Sequence, residues 1–180
     1  MVSFQDIQTA YYMVAATGVL VAAVFYMFNL RETMRNRRAT FNNNVWQAIE
    51  NTEWQKVFIE VMNMQWTDFE DFKKRYDSSA GAENYSKRQT VFLNFDSLGR
   101  QLRQGLIDVD SLGDAWAFGI VALWNKFKPI IEAYRGWQYP KNLFRDFEYL
   151  AGFLEKKLIL EDPNFMKKMN TLFSTPVSSQ

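Results

Sequence analysis

The stretch from Ile7 to Leu30 contains 24 consecutive residues without a formal charge. As an α-helix that rises about 1.5 Å per residue, it would extend roughly 36 Å, and the hydrocarbon core of a bilayer is roughly 30 Å thick. Tyr11, Tyr12 and Tyr26 stand toward its two ends, where aromatic side chains favour the membrane interface. The stretch therefore predicts a transmembrane helix, and this prediction constrains what the rest of the chain can do.

Charged residues flank the apolar stretch unequally. Only Asp6 closely precedes it, whereas four arginines follow it: Arg31, Arg35, Arg37 and Arg38. Positive charge marks the cytoplasmic side of a membrane segment, so these four are the predicted topology determinants. We expect a single-pass protein of the cell membrane with its N-terminus outside and its C-terminal domain in the cytoplasm. The same cluster would suit nucleic acid or anionic lipid head groups, but its position favours the topological role.

Two other interpretations of the apolar stretch fit the sequence less well. A secretory signal carries its positive charges before a short apolar centre and ends in small residues at a cleavage site. Here the charges follow the apolar centre, and arginines occupy the place of that site. The core helix of a soluble protein averages only about three or four turns. A membrane anchor is the interpretation that we carry forward.

Small residues recur along one side of the predicted anchor. Ala15, Gly18 and Ala22 follow one another at intervals of three and four residues, which keeps them on one helix face. Lipid tails are as apolar as leucine, so close backbone packing, rather than burial, drives association within a bilayer. We predict that this face packs against another transmembrane helix, belonging either to a second copy or to a different protein.

The sequence contains no cysteine and no histidine. Their absence excludes disulfides, thiolate zinc sites, histidine-held haem, cysteine nucleophiles and imidazole bases. There is no phosphate-cradling glycine loop and no dinucleotide fingerprint either. The net charge of +1 offers no general attraction for nucleic acid. We therefore expect no cofactor, no catalytic residue and no nucleic-acid partner.

Two acidic groupings are candidate metal sites. The segment DVDSLGD offers Asp108, Asp110 and Asp114 as oxygen ligands for Mg²⁺ or Ca²⁺, but it lacks the ligand spacing of an EF-hand. Helix capping by Asp108 explains the segment without a metal. Glu50 and Glu53 share a helical face, but di-metal sites in helical bundles usually need histidine as well. The sequence therefore predicts no metal site.

The remainder of the chain carries helical apolar patterns and no alternating β pattern. We predict an all-α fold, in which the anchor (1–38) continues toward a cytoplasmic multi-helix bundle (39–160), followed by a short helix and a disordered tail (161–180). Thr67 and Glu70 form a predicted capping box. The predicted core consists of large apolar residues at helical spacing: Phe95, Trp116, Leu123, Trp124, Phe127, Phe147 and Leu150.

Two residues interrupt the apolar patterns of the predicted helices. Pro129 is expected to kink its helix, because proline lacks a backbone donor and its ring clashes with the preceding turn. Asn94, flanked by Phe92 and Phe95, is expected to turn inward. A buried amide needs a partner, for which Arg135 or a backbone carbonyl is suitable; a contact with a ligand is the alternative.

Two long runs resemble an uncharacterised family of prokaryotic helical proteins that is catalogued as a domain of unknown function. The runs are FLNFDSLGRQLRQGLIDVDSLGDAWAFGIVALWNKFKPIIEAYRG and YPKNLFRDFEYLAGFLEKK. The resemblance covers roughly residues 40–158 and implies a helical fold, often preceded by a transmembrane helix. Its motifs consist mostly of packing and capping residues, so it implies no activity and no catalytic residues.

These observations favour a membrane-anchored, non-enzymatic helical protein that binds protein partners. It would act as a scaffold or as an accessory subunit of a larger membrane complex. Histidine is the commonest general acid–base and cysteine a leading nucleophile, so their absence disfavours an enzyme. Two alternatives stay open: an enzyme that uses carboxylates with Mg²⁺, and a regulator that senses a small ligand between its helices. The expected partners are membrane lipid and, through the anchor, another transmembrane protein or a second copy.

Overall fold

The computed structural model describes residues 3–107, 109 and 113–174; for residues 38–39, 41–50 and 172–174 it describes the backbone alone. Within this part of the chain the regular structure is helical and contains no strand. The α-helices are α1 (Phe4–Glu50), α2 (Thr52–Met62), α3 (Phe69–Tyr76), α4 (Ala82–Arg103), α5 (Asp114–Trp137), α6 (Arg145–Glu161) and α7 (Phe165–Ser174). The prediction of an all-α fold is confirmed.

The chain divides into two compact units, Met1–Val45 and Trp46–Gln180. In the first unit, the segment Phe4–Arg37 of α1 is long and apolar enough to cross a membrane, and none of its most apolar part is buried within the protein. Signal sequences and the core helices of soluble proteins can match the same length and composition. The helix therefore has the dimensions of a membrane span, whichever of these roles it takes.

The second unit is built around the packing of α4 against α6, with α5 also packed on α6 and α2 on α4. Aromatic rings fill its centre and meet largely edge to face. Phe92 lies 5.0 Å from Phe127, and Phe147 lies 5.1 Å from Trp124, between ring centroids. Such pairs add about 0.5–1.5 kcal/mol beyond the burial of their area. The high aromatic content of the sequence is thus used in one continuous core.

The predicted core residues occupy two environments. Six are buried: Phe95, Leu123, Trp124, Phe127, Phe147 and Leu150. Trp116, in the first turn of α5, is only half-buried. Its ring contacts Trp54 at 5.3 Å and Phe58 at 5.5 Å, both on α2. Trp116 therefore lies where α5 meets α2, at the border of the core and not at its centre.

Helix α3 begins one residue later than its predicted capping box. The carboxylate of Asp68 accepts a hydrogen bond from the N–H of Asp71 at 2.8 Å, and the carboxylate of Asp71 accepts one from the N–H of Thr67 at 3.1 Å. The N–H of Thr67 holds the pKa of Asp71 below its usual value. The prediction of Thr67 as the N-cap and Glu70 as its partner was wrong, because Asp68 is the N-cap and the carboxylate of Asp71, not that of Glu70, accepts from the N–H of Thr67. A carboxylate at the N-cap also interacts favourably with the helix dipole.

Helix α5 continues through Pro129 to Trp137. Other predictions fall outside the described residues: the cap at Asp108, the ligand candidate Asp110, the side chains of Glu50 and Arg38, and the tail after Ser174.

Candidate functional site

The predicted functional residues of the anchor lie exposed along α1. Ala15, Gly18 and Ala22 are exposed, and a Cβ atom added at Gly18 would meet no atom within 4 Å. The hydroxyl of Thr17 donates to the carbonyl of Met13 at 2.8 Å, so this polar side chain is satisfied within the helix. Three of the predicted topology determinants are exposed at the end of the apolar segment: Arg31, Arg35 and Arg37.

The inward-facing polar residue of α4 is Asp96, not Asn94. Asn94 is exposed, whereas Asp96 is only 9% exposed. Arg135, the partner suggested for Asn94, instead donates twice to the carbonyl of Leu143, at 3.0 and 2.6 Å. The sequence contained a usable signal, because Asp96 falls on the same helical face as Phe92, at the four-residue spacing of the apolar stripe.

Asp96 caps helix α6 from the neighbouring helix. The residue at the N-cap of α6 is Phe144, whose backbone is left-handed (φ 53°) and whose side chain cannot accept a hydrogen bond. In its place, Oδ1 of Asp96 accepts from the N–H of Asp146 at 3.0 Å and from that of Phe147 at 3.1 Å. These are the N–H groups that an ordinary N-cap side chain satisfies, and the carboxylate meets the positive end of the helix dipole.

Two arginines neutralise the buried carboxylates at this junction. Arg100 donates to Oδ2 of Asp96 at 3.0 Å and to Oδ2 of Asp146 at 3.2 Å, and Arg103 lies 2.9 Å from Oδ1 of Asp146. Hydrogen bonds to the two carboxylates raise the pKa of Arg100, with Asp146 the larger cause. Because the carboxylate of Asp96 caps α6 and both carboxylates are ion-paired, the junction joins α4 to α6.

Gly99 allows α4 and α6 to approach each other at this junction. A Cβ atom at this position would lie 1.8 Å from the carbonyl oxygen of Asp146 and 3.1 Å from Cβ of Leu150. Any side chain would therefore collide with the backbone of α6. The cap and the glycine together determine how the two helices meet.

A second polar feature is a cleft around Arg88. Its cavity volume is about 20 Å³, and a single water molecule needs about 10–15 Å³. Residues of α4 and α5, the end of α3 and the segment before α6 line it: Asp77, Tyr85, Arg88, Gln89, Tyr134, Tyr139, Leu143 and Phe144. The cleft is small and has several polar groups in its lining.

The guanidinium of Arg88 is held among aromatic rings. Arg88 is 2% exposed, and its guanidinium carbon lies 4.9 Å from the ring centroid of Phe72, 5.3 Å from that of Tyr85 and 5.7 Å from that of Tyr134. Its Nη2 donates to the carbonyl of Tyr76 at 3.4 Å. Burial lowers the pKa of Arg88 and raises the pKa of Tyr134 to about 12. Sequence reasoning did not identify this arginine, because the surrounding rings come from α3, α4 and α5.

Two polar atoms of this cleft are left without hydrogen bonds. Among the described residues, Nε of Arg88 and the hydroxyl of Tyr134 are buried and have no hydrogen-bond partner. The carboxylate of Asp77 lines the cleft and its charge favours the charged form of Arg88, but among the described residues no carboxylate forms an ion pair with Arg88 within 4 Å. Buried polar groups are ordinarily paired, so this cleft has an unused capacity to bind a polar group.

The candidate metal ligands Glu53 and Asp114 lie apart from the Asp96 junction and the Arg88 cleft. Glu53 is exposed and forms an ion pair with Lys56 at 2.8 Å, and Asp114 is exposed at the start of α5. In the described part of the chain, no group of three or more Asp, Glu, His or Cys residues is arranged to hold a metal ion.

A family model described as "Domain of unknown function (DUF4760)" matches residues 12–152. The matched region begins in the apolar part of α1 and ends in α6, so it includes both the Asp96 junction and the Arg88 cleft. No curated protein and no solved structure matches the chain.

Proposed function

The chain belongs to the family described as a domain of unknown function (DUF4760), and we propose that it is a single-pass membrane protein whose helical domain serves as a scaffold or accessory subunit for protein partners. The observation that carries this proposal is the exposure of α1. Its segment Phe4–Arg37 has the length and composition of a membrane span, and none of its most apolar part is covered by the rest of the protein. An apolar helix of this length needs an apolar environment, and lipid provides one.

The proposed topology rests on the charges beside the span. Arg31, Arg35 and Arg37 follow the apolar segment as exposed side chains, whereas Asp6 precedes it. This asymmetry favours a cytoplasmic helical domain and an external N-terminus.

The proposal of a non-enzymatic role rests on the chemistry of the buried polar groups. The sequence has neither histidine nor cysteine. The buried carboxylate of Asp96 accepts from two backbone N–H groups and pairs with Arg100, and that of Asp146 pairs with Arg100 and Arg103. The exposed face of small residues in α1 favours a partner within the membrane, because it lets a second helix approach closely.

Membrane association is tested by alkaline carbonate extraction. The full chain should remain in the membrane pellet, at its full mass of 21.2 kDa. Val19→Arg places a charge near the centre of the span, at a cost of about 2.5–3.5 kcal/mol, and should increase release. Met34→Arg, in the basic flank, is the matched control and should not. Complete release of the native chain would refute the anchor, and a shortened mature chain would identify α1 as a signal sequence.

Partner binding through α1 is tested by thiol crosslinking, for which the absence of native cysteine is an advantage. Single cysteines at Ala15, Gly18 and Ala22 should form crosslinks in native membranes, to a second copy by oxidation or to another protein through a thiol–amine reagent. Control cysteines at positions 13, 20 and 24 lie on the opposite side of the helix, at about 100° per residue. Equal yields on the two faces, or none on either, would contradict packing through the small residues.

A further inference from the structure

We propose that the Arg88 cleft is a binding site for a carboxylate group, which Arg88 and Tyr134 hold together. The proposal concerns a ligand of the helical domain and does not depend on the membrane anchor.

The first argument is the partly compensated charge of Arg88, which Asp77 in the cleft lining favours without forming an ion pair within 4 Å. A buried ionised group is costly unless it is paired. The rings of Phe72, Tyr85 and Tyr134 offer their faces to the guanidinium, which compensates the charge in part. They do not satisfy its N–H donors, and among the described residues Nε has no acceptor. An incoming anion would supply the missing acceptor for Nε and add to the charge compensation that Asp77 provides.

The second argument concerns the shape and charge of that anion. A carboxylate is planar and presents its oxygens to a guanidinium in a matching plane. The cavity of about 20 Å³ admits little more than one water molecule, so only an oxygen of the carboxylate can enter it. The buried hydroxyl of Tyr134 lies near Arg88 and the carboxylate of Asp77 but outside hydrogen-bond geometry with either, so it can donate to the same group. Asp77 also lines the cleft, and its negative charge disfavours a phosphate dianion more than a singly charged carboxylate. The lining therefore favours a single carboxylate group, and the remainder of the ligand that carries this group would extend toward solvent.

Binding is measured with sodium acetate on the full chain in detergent, by calorimetric titration and by thermal unfolding against sodium chloride of equal ionic strength. At an acetate concentration ten times its Kd, the melting temperature should rise by about 4 °C relative to chloride. Tyr134→Phe removes the hydroxyl and keeps the ring, so the Kd should weaken about fivefold to tenfold. Tyr149→Phe, on the exposed side of α6, is the matched control and should leave the Kd unchanged.

Two charge variants sharpen the test. Arg88→Lys keeps a cation but loses the planar fork, so acetate binding should weaken more than tenfold. Asp77→Asn removes a negative charge from the lining and should strengthen binding. The proposal is overturned if acetate and chloride stabilise the chain equally, or if Tyr134→Phe binds acetate as well as Tyr149→Phe does. The second result decides the matter even if Arg88→Lys fails to fold.

The source of the carboxylate is distinguished with short peptides. Acetyl-alanyl-alanine carries a free C-terminal carboxylate, and its amide lacks that group. A peptide that binds at least ten times more tightly than acetate assigns the site to a protein C-terminus, whereas equal affinities assign it to small free acids. Binding of the amide as tightly as the free peptide would overturn the proposal.

Discussion

Replacing Asp96 should destabilise the helical domain more than any surface substitution in α4, because this side chain terminates a different helix. In Asp96→Ala, the N–H groups of Asp146 and Phe147 lose their acceptor, and α6 has no side chain of its own at the N-cap. Loss of an N-cap costs about 0.5–2 kcal/mol, and each buried donor left unpaired costs about 1–3 kcal/mol. Part of these costs overlaps, so we expect a loss of about 3–4 kcal/mol.

The Asn variant separates the geometry of the cap from its charge. Asp96→Asn retains an oxygen that can accept from the same N–H groups, but it gives up the charge-assisted bond to Arg100. We expect a loss of about 1–2 kcal/mol. The matched control is Asn94→Ala on the exposed side of the same helix, which should change stability by less than about 0.5 kcal/mol.

The assay is thermal and denaturant unfolding of the full chain in detergent, followed by near-ultraviolet circular dichroism of its buried aromatic side chains. At about 2–4 °C per kcal/mol, Asp96→Ala should melt roughly 10 °C below the parent, with Asp96→Asn between them. If Asp96→Ala melted like Asn94→Ala, the capping role would be refuted. If the Asn and Ala variants were equally destabilised, charge and not cap geometry would be the dominant contribution.

Three further perturbations test other parts of the structure. Gly99→Ala should cost about 3 kcal/mol or more, because its methyl group would overlap the backbone of α6; unfolding measurements would contradict this if the loss were below about 1 kcal/mol. Trp124→Ala should lose about 3–5 kcal/mol and the half-buried Trp116→Ala clearly less, so equal melting temperatures would refute the burial difference. The raised pKa of Tyr134 means that the folded state keeps its proton between about pH 10 and pH 12 while the unfolded state loses it, so stability falls with rising pH in that window. Tyr134→Phe should remove up to about 2 kcal/mol of that alkaline loss, and identical pH profiles for the variant and the parent would contradict the assignment.

The helices themselves were largely predictable from the sequence, because their signals are local. Apolar side chains at intervals of three and four residues indicated α4, α5 and α6, and Gly105, with its positive φ of 67°, stands just beyond the end of α4. The start of α3 was misplaced by one residue, since Thr67 and Asp68 are both good N-cap residues. Only the tertiary environment selects between two such neighbours.

The candidate sites were not predictable in the same way, because their geometry depends on residues far apart in the chain. Asp96 caps a helix that begins about fifty positions later in the chain. The N-cap residue Phe144 gives no sequence signal that a side chain from another helix caps α6. In the sequence, Arg88 has the pattern of an ordinary cation in an amphipathic helix. Its environment is defined only in the folded structure, where α3 and α5 place their rings around it. Apolar periodicity predicts which face of a helix is buried, but it does not predict which polar residue on that face will be used.

The capping of α6 by Asp96, a residue of α4, also affects the order of events during folding. A helix with its own N-cap can begin before it packs, but the first turn of α6 obtains its acceptor only when α4 is already alongside. Forming the first turn is the costly step of helix formation. Nucleation of α6 and its docking onto α4 are therefore expected to occur as one event, which ties this helix to a non-local contact and slows its appearance. The same coupling makes fraying of α6 inseparable from opening of the core, so the amide hydrogens of Asp146 and Phe147 should exchange with solvent only when the whole domain unfolds.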